Sequence, residues 1–324
     1  MRRFLLLVWV QTLLALGLCG CAGSRELPAE DGKINIVCTT FPQYDWVRTL
    51  ISGREERFSL TLLTERGGDL HNYQPSARDI ARISECDLLI YVGGESDAWV
   101  EEVLREAANP EMRVLNMMEA VASELKEETH GHEGGHEPVS PAHEETEYDE
   151  HVWLSLNNAR QLVAALNNTL AALDADGAEL YGRNAEIYLA ALASLDARYR
   201  ETVDAAVTDT LVFADRFPFR YMVEDYGLTC FAAFEGCSAE TGVSFETVAL
   251  LSERLDSLGL DAVLVTESSD KRIARVIIEN TAAGNQEILV MDSMQSVSRK
   301  ELEGGITYLS VMEENLEVLR TALR

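Results

Sequence analysis

Histidine is scarce in this chain, and its placement is the first chemical signal of the sequence. Only six histidines occur among 324 residues, and none lies after His151. His71 stands in the segment GGDLHNYQPS, just after the apolar run Phe58–Leu63, and His151 stands in DEHVWLS. The carboxyl end of a strand is where sites accumulate in parallel sheets, which makes His71 a candidate ligand. Alternative roles are a surface loop residue for His71 and a capping or hydrogen-bonded polar residue for His151.

The other four histidines lie together in a strongly acidic segment. Between Glu124 and Glu150 stand ten acidic residues and one lysine, which gives this stretch a local charge of −9. It is nearly free of apolar residues, so we predict a long loop over 125–150. Imidazole suits zinc, copper and nickel, and tracts rich in histidine and acid commonly bind metal. The alternative is a solvated charge run. The histidines concerned are His130, His132, His136 and His143.

The net charge of the chain limits the classes of partner that the protein can bind. The net charge of the whole chain is −28, and a strongly acidic chain without a basic stripe does not neutralise phosphates, so nucleic-acid binding is excluded. The apolar fraction of 47% is ordinary for a globular protein, and the length allows two domains of about 150 residues each.

The N-terminus reads as an export signal. Arg2 and Arg3 precede an apolar run, Phe4–Leu18, that is short for a membrane-spanning helix. The stretch LCGCA that follows resembles the bacterial lipobox, in which a cysteine is acylated and becomes the new N-terminus. Cys21 fits better than Cys19 because a glycine precedes it. We expect residues 1–20 to be a signal peptide and 21–32 a polar tether outside the cytoplasmic membrane; the alternative is an uncleaved anchor helix.

The rest of the chain alternates short β-branched runs with helical patterns. This alternation predicts an α/β protein in which parallel sheets are covered by helices. An apolar stripe at helical spacing over about seven turns predicts one long helix over 174–206. We therefore expect two lobes, 33–173 and 207–324, each with a parallel sheet flanked by helices and joined by this rigid helix. The last helix is predicted over Leu302–Leu323.

No motif supports a reaction. The chain contains no H-E-x-x-H, no P-loop and no G-x-S-x-G, and the glycines after the third predicted strand indicate only a turn. We therefore do not expect an enzyme. Cys38 and Cys86 lie in apolar contexts that favour buried thiols. The spacing of Cys230 and Cys237 leaves open whether these two residues form a disulfide or are free thiols.

Together these features resemble a known family. The lipobox, the pattern G-x-x-x-H-x-Y-x-P-S at Gly67–Ser76, the segment Cys86–Val92 followed by GGE, and H-x-W-L-S at His151–Ser155 after a histidine-rich loop look like the solute-binding proteins of bacterial zinc and manganese ABC importers. The resemblance covers nearly the whole chain beyond the signal. It implies two lobes joined by a rigid long helix, with one metal ion held in the cleft between them. A histidine-rich loop at this place is typical of the zinc members.

The resemblance also implies a ligand set. His71 and His151 match the first two imidazole ligands of the family, and Asp292 matches a frequent fourth ligand. The third is usually the histidine of an F-H-D-x-F segment, which here reads FADRF with Ala214 at that position. Zinc takes three or four ligands, so Glu267 is our best substitute; its alternative role is to stabilise a helix N-terminus. Weaker substitutes are Asp215, Glu235, Glu240 and a loop histidine.

The sequence thus predicts an extracytoplasmic lipoprotein, anchored at Cys21, that captures Zn²⁺ and delivers it to the permease of an ABC importer. A site of two histidines and two carboxylates is harder than the zinc norm, so Mn²⁺ is the alternative metal, and a surface adhesin is the alternative role. We expect a monomer. Because a ligand histidine must be neutral, metal affinity should fall as the pH drops through about 6.5.

Overall fold

The N-terminal lobe contains a sheet of four parallel strands. In the computed structural model of the protein, which describes residues 32–65, 70–127, 148–234 and 242–324, these strands occur in the order β2-β1-β3-β4. In this register Ile36 of the first strand lies between Leu60 and Leu88 of its two neighbours. The strands are Ile34–Cys38 (β1), Phe58–Leu62 (β2), Leu88–Tyr91 (β3) and Arg113–Asn116 (β4).

The C-terminal lobe repeats this arrangement. Its four strands are also parallel and occur in the order β6-β5-β7-β8. The carboxyl ends of each set therefore meet at one edge of their sheet, which is the edge where open parallel sheets bind ligands. The predicted α/β class with two parallel sheets is confirmed. The strands are Thr210–Phe213 (β5), Thr229–Ala232 (β6), Ala262–Thr266 (β7) and Glu287–Met291 (β8).

Helices flank both sheets and connect them. Several begin at a side-chain cap, as where the Ser155 hydroxyl accepts from Asn158 N–H and the Ser244 hydroxyl accepts from Thr247 N–H. Among residues 32–65, 70–127, 148–234 and 242–324, no helix combines the length and apolarity needed to cross a membrane. The helices are Phe41–Leu50 (α1), Ala77–Glu85 (α2), Trp99–Arg105 (α3), Met117–Ala120 (α4), Leu156–Leu173 (α5), Ala178–Asp204 (α6), Arg220–Asp225 (α7), Phe245–Leu258 (α8), Arg272–Glu279 (α9), Arg299–Glu303 (α10) and Tyr308–Ala322 (α11).

The long helix α6 joins the two lobes. It has 27 residues and packs against α5, α1 and α11. Its buried face follows a spacing of three and four residues, which keeps those side chains on one side of the helix. Ile187 is an apolar residue of this helix but is 72% exposed, because it lies about 100° around the helix from the buried Tyr188. The buried positions are Tyr181, Ala185, Tyr188, Leu192, Leu195, Tyr199 and Thr202.

The predicted final helix over Leu302–Leu323 is wrong, because the structure contains two helices there. Gly304 and Gly305 separate α10 from α11, and Gly305 has a φ of +84°, which a residue with a side chain rarely adopts. Thr307 then caps the second helix by accepting from Ser310 N–H. The turn places Tyr308 in the protein interior at the start of α11.

The largest apolar core includes residues of both lobes. Trp46 of the first lobe packs edge-on against Tyr308 with ring centroids 5.1 Å apart, and the Tyr308 hydroxyl donates to Trp153 O at 2.6 Å. Cys38 and Cys86 are buried free thiols, as predicted. Cys230 is also a free thiol, whereas Cys237 lies outside the described residues.

Candidate functional site

His71 lies in a short turn, Leu70–Asn72, between strand β2 and helix α2. Leu70 is buried beneath it and anchors the turn. The ring nitrogen Nδ1 of His71 lies 2.8 Å from the Ser96 hydroxyl and 3.8 Å from Oε2 of Glu150. These contacts engage the Nδ1 side of the ring, so Nε2 faces the other way.

His151 is held more tightly and is 3% exposed. Oδ1 of Asp149 accepts a hydrogen bond from the His151 backbone N–H at 2.8 Å and lies 2.8 Å from the ring Nδ1. A carboxylate only accepts hydrogen bonds, so Nδ1 is the donor of this bond and Nε2 is the ring nitrogen that a metal ion would bind. Such a carboxylate–histidine pair is a usual support for a metal ligand.

The two imidazoles meet through these Nε2 atoms, and we call His71 and His151 the imidazole pair. Their Nε2 atoms lie 3.2 Å apart, with ring centroids separated by 5.2 Å. Two nitrogens bound at about 2.0–2.1 Å to one tetrahedral zinc ion lie about 3.3 Å apart. The spacing therefore fits a single ion, and it also fits a hydrogen bond between the rings when one Nε2 carries a proton.

The loop after β3 supports the pair from below. Oε1 of Glu150 accepts from Ser96 N–H at 2.8 Å, and the Ser96 hydroxyl in turn contacts His71. Gly94 has a φ of +74°, and a Cβ there would lie 2.4 Å from Oε1 of Glu150. From the sequence we interpreted these glycines only as a turn and did not identify Ser96, Asp149 or Glu150. The one signal was an acidic pair directly before His151.

On the second lobe, Glu267 follows strand β7 and is bonded to the turn after β8. Oε2 of Glu267 accepts from Ser293 N–H at 2.9 Å, and Oε1 accepts from the Ser293 hydroxyl at 2.8 Å. The Ser293 carbonyl accepts from Trp153 Nε1 at 2.9 Å, and the Trp153 and His151 rings lie 5.3 Å apart. This chain of contacts connects Glu267 to His151 through Ser293 and Trp153.

Asp292 lies beside Glu267 at the end of β8. Its Oδ1 accepts from Met294 N–H at 2.7 Å, and Met294 has a φ of +60°. Burial, together with the negative charge of Glu267, raises the pKa of Asp292 to about 7. A cation bound here would favour the ionised form of Asp292.

A polar recess adjoins Glu267, and we call it the second-lobe recess. It brings a guanidinium, hydroxyls and an amide next to the carboxylate, but Asp292 is not part of its lining. Ala214 does not face it either, since its side chain is 1% exposed within the apolar core of the lobe, whereas Arg216 two residues later does. The recess is lined by Arg216, Pro218, Thr266, Glu267, Ser268, Ser293, Gln295 and Ser296.

The predicted ligands thus form two pairs, one of imidazoles and one of carboxylates. Within the part of the chain that the structure describes, no three His, Cys, Asp or Glu side chains form one group that could hold a metal ion. Asp215 accepts from the Thr266 hydroxyl at 3.1 Å. The remaining candidates, His130, His132, His136, His143, Glu235, Glu240 and Cys21, lie outside the described residues.

Related proteins share this architecture. The chain is 27% identical to the zinc-binding lipoprotein AdcA of Streptococcus pneumoniae over 95% of this chain and 59% of AdcA, so it spans about three fifths of that protein. It is 24% identical to the high-affinity zinc uptake system protein ZnuA of Bacillus subtilis over 98% of this chain and 97% of that one. The crystal structure of the Zn(II)-bound ZnuA-like domain of S. pneumoniae AdcA superposes with a TM-score of 0.69 at 26% identity, covering 90% of this chain and 99% of that one.

A family profile covers nearly the whole folded region. It describes the ZnuA family, zinc-uptake complex component A, periplasmic, and it matches residues 36–322. This range includes both sheets, the long helix and all four predicted ligands of the cleft. The chain therefore belongs to the ZnuA family of metal-uptake solute-binding proteins.

Proposed function

We propose that this protein binds Zn²⁺ outside the cytoplasmic membrane and delivers it to the permease of an ABC importer, without catalysing a reaction. The observation that carries the proposal is the imidazole pair, whose Nε2 atoms lie 3.2 Å apart while both Nδ1 atoms are engaged. The names of two relatives, a zinc-binding lipoprotein (AdcA) and a high-affinity zinc uptake system protein (ZnuA), support the choice of metal. The ion is cargo, so rapid loading and release matter more than an open reactive position.

Within this proposal the second lobe completes the coordination. Glu267 is the stronger candidate, because it lines the second-lobe recess and its turn is bonded to Trp153 next to His151. Asp292, which lies beside it, is the second candidate. Closing the cleft over the ion would then bring carboxylate oxygen to nitrogen-bound zinc, a combination that zinc sites commonly use.

Competitive titration of the purified, metal-free protein with Zn²⁺ and Mn²⁺ tests this assignment. We expect roughly one tightly bound Zn²⁺ per chain, tighter than Mn²⁺, and loss of tight binding in His71→Ala and in His151→Ala. Glu267→Ala and Asp292→Ala should weaken zinc binding, whereas the control Glu287→Ala, at the opposite end of β8 and exposed, should not. Unchanged affinity in both histidine variants would contradict the function, and unchanged affinity in both carboxylate variants would contradict only the second-lobe ligands.

The acidic loop is proposed to collect metal before it reaches the cleft. Its described part is a stem in which Glu127 and Tyr148 form an antiparallel bridge and Asp149 N–H donates to Lys126 O at 2.9 Å. This stem connects the loop directly to the residue that orients His151. Deleting residues 129–145 should reduce uptake when zinc is scarce and lower the metal stoichiometry; uptake and stoichiometry equal to the intact protein would contradict this role.

Anchoring at Cys21 is proposed on the lipobox alone. The name lipoprotein carried by the AdcA relative is consistent with it. Replacing Cys21 by Ser should abolish labelling with a fatty acid and release the protein from the membrane fraction, whereas the control Cys19→Ser should leave it anchored.

We also propose the domain limits 1–20, 21–32, 33–173, 174–206 and 207–324, with a monomer as the working unit.

A further inference from the structure

Tyr221, in helix α7 of the second lobe, is bonded to the segment that carries His151. Its side chain is buried, and its hydroxyl donates to Asp149 O at 2.7 Å while accepting from Lys126 N–H at 3.2 Å. Lys126 and Asp149 are the two ends of the loop stem, and they are also bonded to each other. A single hydroxyl of the second lobe thus binds both strands of the stem at its base.

Asp149 connects this hydroxyl to the imidazole. The backbone carbonyl of Asp149 is held by Tyr221, and its carboxylate holds His151 through both the backbone N–H and the ring Nδ1. Asp149 therefore links the Tyr221 hydroxyl to Nδ1 of His151, because its carbonyl and its carboxylate are both hydrogen-bonded. A shift of the carbonyl moves the carboxylate and changes the direction in which Nε2 points.

The other side of His151 is held in the same way. Trp153, two residues later, donates from Nε1 to Ser293 O at 2.9 Å, and its own carbonyl accepts from the Tyr308 hydroxyl at 2.6 Å. Hydrogen bonds from the C-terminal half of the chain therefore bracket His151 at positions 149 and 153. His71, in contrast, contacts Ser96 and Glu150 of the first lobe.

We propose that Tyr221 is a positioning residue through which the second lobe sets the place of His151 relative to His71. This inference rests on the proposed zinc function. Metal–ligand distances tolerate only about 0.2 Å, so a small displacement of His151 changes how long zinc stays bound. The arrangement of the lobes then governs zinc release through the stem, without any new ligand.

The test compares Tyr221→Phe with Tyr199→Phe in the purified protein. Tyr199 is a matched control, because it is also buried and its hydroxyl donates to a backbone carbonyl, Met312 O, at 2.6 Å. Tyr199 contacts neither histidine in the bonds described here. We measure zinc dissociation into an excess of chelator, the visible absorption of the Co²⁺-loaded protein, and the urea midpoint of the metal-free protein.

Both variants should lower the urea midpoint to a similar extent. Only Tyr221→Phe should accelerate zinc dissociation, by about tenfold as for the loss of other groups that orient a metal ligand, and shift the Co²⁺ bands. Trp153→Phe, which removes the Nε1 donor from the opposite side of His151, should change both readouts in the same direction.

Equal dissociation rates in the two tyrosine variants, or unaltered Co²⁺ bands in Tyr221→Phe, would overturn the proposal. These outcomes are distinct from failure of the function itself. If His151→Ala binds zinc as tightly as the unmodified protein, the imidazole pair is not the site at all. If His151→Ala loses zinc but Tyr221→Phe behaves like Tyr199→Phe, the site stands and the positioning role falls.

Discussion

At the scale of single residues, the site is defined by which nitrogen of each histidine is occupied. Oδ1 of Asp149 accepts a hydrogen bond from Nδ1 of His151, and the Ser96 hydroxyl contacts Nδ1 of His71. Both Nε2 atoms are thereby directed at one point, which an unsupported pair of surface histidines would not achieve without losing side-chain entropy on binding. We therefore expect these supporting residues to contribute to zinc affinity without contacting the metal.

The second-lobe recess contains a positively charged side chain beside its carboxylate. Arg216 lines it together with Glu267, and a guanidinium beside a carboxylate competes with a cation for that carboxylate. The resemblance to the family places the missing third ligand at Ala214, but this side chain is buried in the lobe's core. Arg216 does line the recess, so we choose position 216 for a third imidazole.

We therefore predict that Arg216→His raises zinc affinity and Ala214→His does not. The first change removes a positive charge and adds a neutral ligand, for which we expect a gain of about tenfold or more, equivalent to about 1.4 kcal/mol. The second inserts a polar ring between apolar neighbours and should lower the free energy of unfolding instead. Competitive titration and urea unfolding of both variants provide the measurements; a larger gain in Ala214→His would contradict our assignment of the recess.

At the scale of elements, the loop between β3 and α3 contacts the imidazole pair through Ser96. Oδ2 of Asp97 accepts from Val92 N–H at 2.7 Å and from Gly93 N–H at 3.3 Å, which closes the loop, and Glu150 lies against Gly94. Ser96 lies between these two fixed points. The loop's shape thus sets where the Ser96 hydroxyl meets His71.

This dependence predicts different effects of alanine at two glycines with positive φ. Gly94 (φ +74°) has no room for a Cβ, which would displace Glu150 from Ser96, whereas Gly227 (φ +66°) has open space around it. Both substitutions strain the backbone and should cost about 1 kcal/mol of unfolding free energy or more. Only Gly94→Ala should also weaken zinc binding, by about tenfold. Equal zinc affinity in the two variants would show that the seat of Glu150 is irrelevant to the site.

The buried carboxyl of Asp97 gives the same loop a pH-dependent stability. Burial raises its pKa to about 6, partly offset by the two backbone N–H donors, and the negative charge of Glu150 adds to the rise. An aspartate has a pKa of about 3.9 in the unfolded chain. The folded state therefore holds the proton more strongly, so the carboxyl's contribution is fully present below about pH 4 and is lost as the pH rises through about 6.

Asp97→Asn removes this titration while the amide oxygen still accepts from the loop. As the pH rises from about 4 to about 7.5, the unfolding free energy of the variant should therefore increase relative to that of the unmodified protein. We expect a relative change of about 1 to 3 kcal/mol, since each pKa unit corresponds to about 1.4 kcal/mol. Urea unfolding of both proteins across this range measures it. Curves that run parallel with pH would contradict the assigned pKa.

At the scale of the whole molecule, the contacts that sequence reasoning missed are those between distant parts of the chain. The strands and the long helix follow from local apolar periodicity, and His71 and His151 follow from their motifs. The bonds from Tyr221 to Asp149 and from Trp153 to Ser293 connect residues 72 and 140 positions apart. No local sequence pattern predicts such a hydrogen bond, because a tyrosine or tryptophan in these positions is equally typical of an ordinary core residue.

The sequence also did not identify which residue after β5 lines the second-lobe recess, for a related reason. A segment with alanine at the family's histidine position offers no local chemistry to align, and strand alternation does not identify Arg216 either, because it would put positions 214 and 216 on the same face. Ala214 continues strand β5, since its N–H donates to Leu264 O, and its side chain points into the core. Sequence alone therefore located the segment but not Arg216 as the residue that lines the second-lobe recess.

The acidity of the molecule acts over a longer range than any of these contacts. A net charge of −28 attracts Zn²⁺ toward the protein before any ligand is reached, and salt screens this attraction. The Debye length falls from about 30 Å at 0.01 M to about 8 Å at 0.15 M ionic strength, whereas bonds to bound zinc are much shorter. We therefore predict that raising the ionic strength between these limits slows zinc association by about three- to tenfold and leaves the dissociation rate nearly unchanged. Stopped-flow association and chelator-driven dissociation measure the two rates on the same sample. A salt effect confined to dissociation would mean that the charge acts within the closed site and does not steer the ion toward it.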